Sequence, residues 1–201
     1  MNRRLAADFF DSLDERQLAA PSLCTQWTVR EVLGHLVMAL EVTLGGLLVA
    51  TVRQRGSVDR ASVELSRGLA RRPVPELTGL LRAKAHHRLR APGVGPMGQL
   101  CDTTIHLRDC ARPLGLAATA SQEDWRLVLD YLPTRPAALA FVPKGRLAGL
   151  RLEATDQDWA GGEGQPVRGP SEALAMTVTG RAAALPELTG PGAARLSERI
   201  G

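Results

Sequence analysis

Apolar positions along this chain recur mostly three and four apart, the spacing that lines one face of a helix. From Leu5 to Leu18 apolar and acidic positions alternate at that spacing and predict a first helix, broken by the stretch Ala20 to Cys24 (APSLC). Thr28 and Glu31 then have the spacing of a capping box, in which each side chain satisfies a free backbone N–H at a helix start. A long, strongly apolar helix is predicted from there to about Arg53. Gly56 to Arg90 reads as helix interrupted by Pro73 and Pro75, which cannot donate to the helical ladder, and APGVGP, Ala91 to Pro96, reads as a loop. A fourth helix occupies the segment GQLCDTTIHLRDCARPLGL, Gly98 to Leu116. It closes at Arg112-Pro113 because the residue before proline disfavours the helical region. A shorter helix, Gln122 to Leu132, ends at Pro133.

After Pro136 the texture changes. Leu147 to Asp156 alternates as a strand does, GGEG at Gly161 to Gly164 reads as a turn, and PVRG returns as a short strand. Ser171 to Thr179 and Ala193 to Ile200 read as helices. The expected architecture is mainly α: a helical domain over residues 1–133, a linker at 134–146, and a small α+β domain at 147–201.

Composition changes this picture little. The chain has 201 residues, of which 44% are hydrophobic and only 3% aromatic, so its core must be built from Leu, Val and Ala. Val32 to Val52 is long enough to cross a bilayer, but it carries His35, Glu41 and the Gly45-Gly46 pair. A central helix of a soluble bundle suits it better. The net charge is +4, and Arg53 to Arg90 holds ten basic side chains against Asp59, Glu64 and Glu76. That segment has no aromatic residue on which a base could stack, so no nucleic-acid partner is expected. Cys24, Cys101 and Cys110 are odd in number and form no CxxC pair, and the N-terminus has no signal-peptide run. A cytoplasmic protein, monomeric or homodimeric, is the expectation.

The chemistry concentrates on the fourth helix. At about 100° per residue, Gln99, Asp102, His106 and Asp109 fall on one face, with Leu100, Leu107 and Ala111 opposite. That stripe is either a solvated face or part of a site. His35, on the most apolar helix, is either a core histidine or a ligand. Together they offer two imidazoles and a carboxylate, a set that holds catalytic zinc and other divalent metals with an open position, and bundle interiors build such sites from facing helices. Asp109, one turn beyond His106, is placed to orient a ligand or to grip Arg112. No phosphate loop, GxSxG elbow or HExxH sequence occurs. His86-His87 reads as surface, and Cys101 and Cys110 as small buried hydrophobes.

Three blocks resemble one family. WTVREVLGHLV, Trp27 to Val37, is similar to the first block of the mycothiol-dependent maleylpyruvate isomerase family of the DinB-like superfamily, with its histidine eight residues after the tryptophan. DTTIHLRDCARPLG, Asp102 to Gly115, resembles the family's second block, E-x-x-x-H-x-x-D. Trp159 to Arg181 is similar to its C-terminal domain, which ends a helix in Gly-Arg. The resemblance implies a DinB-like four-helix bundle with a divalent metal, usually zinc, held by His35, Asp102 and His106. It implies mycothiol as the thiol cosubstrate, and Arg181 as an arginine that approaches the metal cavity and binds an anionic substrate group. Asp102 departs from the family glutamate by one methylene. The implied activity is thiol-dependent S-transfer or cis–trans isomerisation of a small electrophilic, anionic substrate. The alternative is a non-catalytic protein that binds or sequesters a small molecule on the same scaffold.

Overall fold

A computed structural model describes residues 2–86 and 95–200. The loop expected at Ala91 to Pro96 lies largely outside the described residues. The chain forms two compact units, and the boundary between them cuts one helix, α7 (Gly95–Ala111), between Ile105 and His106.

The first unit holds α1 (Asn2–Asp11), α2 (Glu15–Leu18), α3 (Val29–Glu41), α4 (Leu44–Arg53), α5 (Val58–Leu69), α6 (Val74–Ala83) and the end of α7 from His106 onward. The single helix expected over Leu5 to Leu18 is two helices. Asp14 accepts from the Gln17 N–H at 2.7 Å and Gln17 answers to the Asp14 N–H, so a capping box starts α2 where the first helix has ended. The capping box of Thr28 and Glu31 starts α3 as expected.

The long helix to Arg53 is also divided. Val42 is extended, with φ −83° and ψ 122°, and the Thr43 hydroxyl accepts from the Gly46 N–H at 3.1 Å to begin α4. A threonine that offers its own cap, followed by two glycines of poor helix propensity, makes a restart cheaper than continuation. The apolar run that imitated a membrane span is therefore two helices, and among the described residues no helix is long and apolar enough to cross a membrane. α4 buries none of its residues and leaves Leu44, Leu48, Val49 and Val52 exposed.

α3 packs on α5 and α6, α1 on α6, and α4 on α5. The α3–α5 approach is close because Gly34 has no side chain: a Cβ there would collide with the Ser66 carbonyl oxygen. Phe9 and Phe10 of α1, Leu33, Leu36 and Val37 of α3, and Leu77 and Leu81 of α6 are buried. Arg82 of α6 reaches Asp8 and Asp11 of α1 at 2.6 Å each, and Thr78 donates to Asp11 at 2.7 Å.

The second unit holds the start of α7, α8 (Gln122–Tyr131), α9 (Arg135–Ala138), β1 (Leu150–Ala154), β2 (Ala160–Gly162), β3 (Gln165–Gly169), α10 (Ser171–Val178), a 3-10 turn (Ala182–Glu187) and α11 (Pro191–Ser197). The sheet order is β2-β1-β3; β1 runs antiparallel to β2 and parallel to β3, and Leu152 pairs with both Gly161 and Val167. Gly161 and Gly162, expected in a turn, belong to β2. α10 buries every residue but Glu172 and packs on α8, the sheet and the 3-10 turn, while α11 covers β3 and β1. Asp156 caps α10, accepting the Ser171 N–H at 3.0 Å and its hydroxyl at 2.7 Å. Trp159 donates from Nε1 to Asp130 of α8 at 2.7 Å. The fold is thus mainly helical with one small three-stranded sheet near the C-terminus.

Candidate metal centre

The polar stripe of α7 is not a wet face. His106 is 8% exposed and Asp109 fully buried, while Asp102, one turn before His106, is half-buried. Burial of a carboxylate and an imidazole side by side is costly unless each is partnered. Asp109 Oδ2 stands 2.9 Å from His106 Nδ1. With the Nδ1 proton donated to that carboxylate, the ring is fixed in the tautomer whose Nε2 lone pair is available as a ligand. Asp109 is thus in place to orient His106.

α3 supplies the second imidazole. The rings of His35 and His106 lie with centroids 4.8 Å apart at 72°. Trp27 stacks on His35 at 4.6 Å and 29° and meets His106 edge-on at 5.8 Å. Trp27 immediately precedes the Thr28 cap, so the capping box that begins α3 also sets where the indole covers the histidine pair.

Cys24 closes the far side of His106. Its thiol donates to Asp109 Oδ2 at 3.0 Å and lies 3.5 Å from His106 Nδ1. The loop carrying it is tied to α7 by the Leu23 N–H, which donates to the Asp109 carbonyl at 2.9 Å. Within the loop, the Ser22 hydroxyl accepts from the Cys24 N–H at 3.1 Å and donates to the Trp27 carbonyl at 2.8 Å. Among the described residues Cys24, His106 and Asp109 form a group of side chains that could hold a metal ion. That group lies wholly within the first unit.

Cys24 and Trp27 are the residues that sequence reasoning passed over. Trp27 had a signal, its place one residue before a cap. Cys24 had none, since only the tertiary fold lays a loop between α2 and α3 against α7.

A family model described as the mycothiol maleylpyruvate isomerase N-terminal domain matches residues 3–127. The chain belongs to this family. The matched residues include the three expected ligands, together with Cys24, Trp27 and Asp109. In fold, this family member is similar to a crystal structure of a mutant mycothiol-dependent maleylpyruvate isomerase, with a TM-score of 0.58 and 13% identity over 96% of this chain and 89% of that one. A comparison with curated proteins gives no match.

The remaining candidates of this family member lie as follows. Arg181 precedes the 3-10 turn and donates from Nη1 to the Thr179 carbonyl at 2.8 Å. Within the second unit its charge is felt at Cys101 of α7: burial pushes that thiol strongly up, Asp102 adds to the shift, and Arg181 opposes it. Burial likewise pushes the Cys110 thiol far above its ordinary range, with Asp109 and Cys24 adding to it. Both behave as buried hydrophobes. His86 is exposed beside Arg4, and His87 lies outside the described residues.

Proposed function

We propose that this protein is a mycothiol-dependent, metal-assisted enzyme that carries out S-transfer to, or cis–trans isomerisation of, a small electrophilic anion. The observation that carries this reading is the facing pair His35 and His106, with the Nδ1 of His106 already taken by a buried carboxylate. Two imidazoles, one aimed by an outer carboxylate, are the donor chemistry that a divalent metal such as zinc requires, so the residues fit the group. Asp102, one turn before His106 on the same helix, is the third donor of this reading.

A divalent metal there would supply the positive charge that keeps a bound thiol deprotonated at neutral pH. The protein's own residues do the rest. Asp109 holds the His106 ring by its Nδ1 and so fixes the ring's orientation. Trp27 lies flat on His35 and keeps water from that face. Arg181 is the residue assigned to the substrate's negative charge, because a guanidinium fork matches a carboxylate in two hydrogen bonds.

The test measures bound metal in the purified protein and in His35→Ala and His106→Ala. It also measures mycothiol-dependent isomerisation of maleylpyruvate, and conjugation of the thiol to a small electrophile. Stoichiometric metal in the parent protein, with neither reaction detectable in the metal-loaded chain, would leave the sequestering alternative standing.

A further inference from the structure

The imidazole of His106 has two nitrogens, and the side not used above is furnished as fully as the other. We infer that Cys24 Sγ, His106 Nδ1 and Asp109 Oδ2 form a second, thiolate-containing metal position for a borderline or soft divalent cation such as zinc. This position requires neither His35 nor Asp102, and it rests on the reading above only in sharing His106.

Three observations carry it. The first is distance. The three ligand atoms stand 2.9, 3.0 and 3.5 Å apart. Zinc bonds of about 2.0–2.3 Å in tetrahedral array set ligand atoms roughly 3.3–3.8 Å from one another. The sulfur–nitrogen separation is already such an edge, and the other two need open by less than about 1 Å once the intervening protons have gone.

The second is charge. Asp109 is fully buried and His106 nearly so, and a thiolate beside a carboxylate in that setting is untenable alone. A divalent cation cancels both negative charges and leaves a neutral cluster. The third is access and rigidity. The Leu23–Asp109 backbone bond holds the cysteine loop in register with α7. Cys24 and Trp27 also line a cavity of about 260 Å³ with Asp59 and Ser62, so the cluster borders a cavity on its cysteine side.

Occupation replaces hydrogen bonds by coordinate bonds. The thiol proton leaves to solvent as the metal–sulfur bond forms, and the His106 proton moves from Nδ1 to Nε2 so that Nδ1 can donate its lone pair to the metal. A ring protonated at Nε2 has no ligand left for His35 and Asp102, so the two positions exclude each other. Stoichiometry stays at one metal per chain. Softer cations favour the thiolate side and harder ones the other.

The test is a cobalt(II) titration of the full-length metal-free protein, followed by absorbance. Cobalt on the thiolate side gives an intense near-ultraviolet sulfur-to-metal charge-transfer band, saturating at one equivalent. Cys24→Ser and Cys24→Ala should both abolish that band, and Cys24→Ser, whose hydroxyl can still donate to Asp109, should melt at the parent temperature. Asp109→Asn, which removes a directly ligating charge, should weaken the cobalt affinity read from it by more than about 10-fold, the low end for losing even an outer partner of a ligand. His35→Ala should keep the band, which separates this position from the one in the proposed function. Cobalt bound without the band in the parent protein, a band that survives both Cys24 variants, or its loss in His35→Ala would each overturn the inference. The last result would leave the His35-containing site intact.

Discussion

Asp109 shows how much a single side chain can decide. It lies one turn beyond His106, accepts from both the imidazole and the Cys24 thiol, and has no exposure to solvent. In the second unit the chain's single tyrosine, Tyr131, is another residue set by burial, which pushes its phenol up to about 12, with Cys101 adding to the shift. The unfolded chain titrates this group near ~10. A phenol whose folded value is raised contributes stability that is complete below about pH 10 and is lost as the pH rises through its folded value. Absorbance titration of the phenolate, clean because there is one tyrosine, should give a midpoint near 12 in the folded protein and near ~10 in denaturant. A folded midpoint near ~10 would mean the ring is more open to water than its 6% exposure indicates.

Among the elements, α3 carries the most. Its start is fixed locally, by a capping box whose preceding residue is the indole over His35. Its position against α5 is fixed by Gly34, the residue next to His35. Gly34→Ala adds helix propensity worth about 1 kcal/mol but drives a methyl into the Ser66 carbonyl. Overpacking of this kind costs about 1–3 kcal/mol, so the net expectation is a loss of stability by denaturant unfolding, accompanied by weaker metal binding as α3 moves His35. An alanine variant as stable as the parent would show that α3 and α5 can separate without strain. The end of α3 was misread from sequence for a physical reason. Hydrophobic periodicity runs unbroken through Val42, but the Thr43 hydroxyl competes with the helix for a backbone N–H, and periodicity does not register that competition.

At the scale of the molecule, the metal reading has a thermodynamic consequence. A cation that binds the folded chain alone stabilises it by about 2.7 kcal/mol at one hundred times its dissociation constant. For a chain of this size that raises the melting temperature by roughly 5–10 °C. Calorimetry of the zinc-loaded and chelated protein should show such a shift, and it should vanish in His106→Ala, the residue common to both ligand sets. An equal shift in that variant would place the stabilising cation elsewhere.

The sequence by itself determined the helical class, the capping box at Thr28, the α7 stripe and its end at Arg112-Pro113. Each of these depends on residues within one or two turns of one another, where propensity and periodicity act directly. The family blocks drew attention to His35 and His106 for the same reason: each block is local. Whether that stripe faces water, which nitrogen of His106 is engaged, and that Cys24 stands against it were decided by the tertiary structure. The Cys24 contacts join residues more than eighty positions apart, and the buried His106–Asp109 pair forms only when burial makes a partner for Asp109 worth more than its hydration.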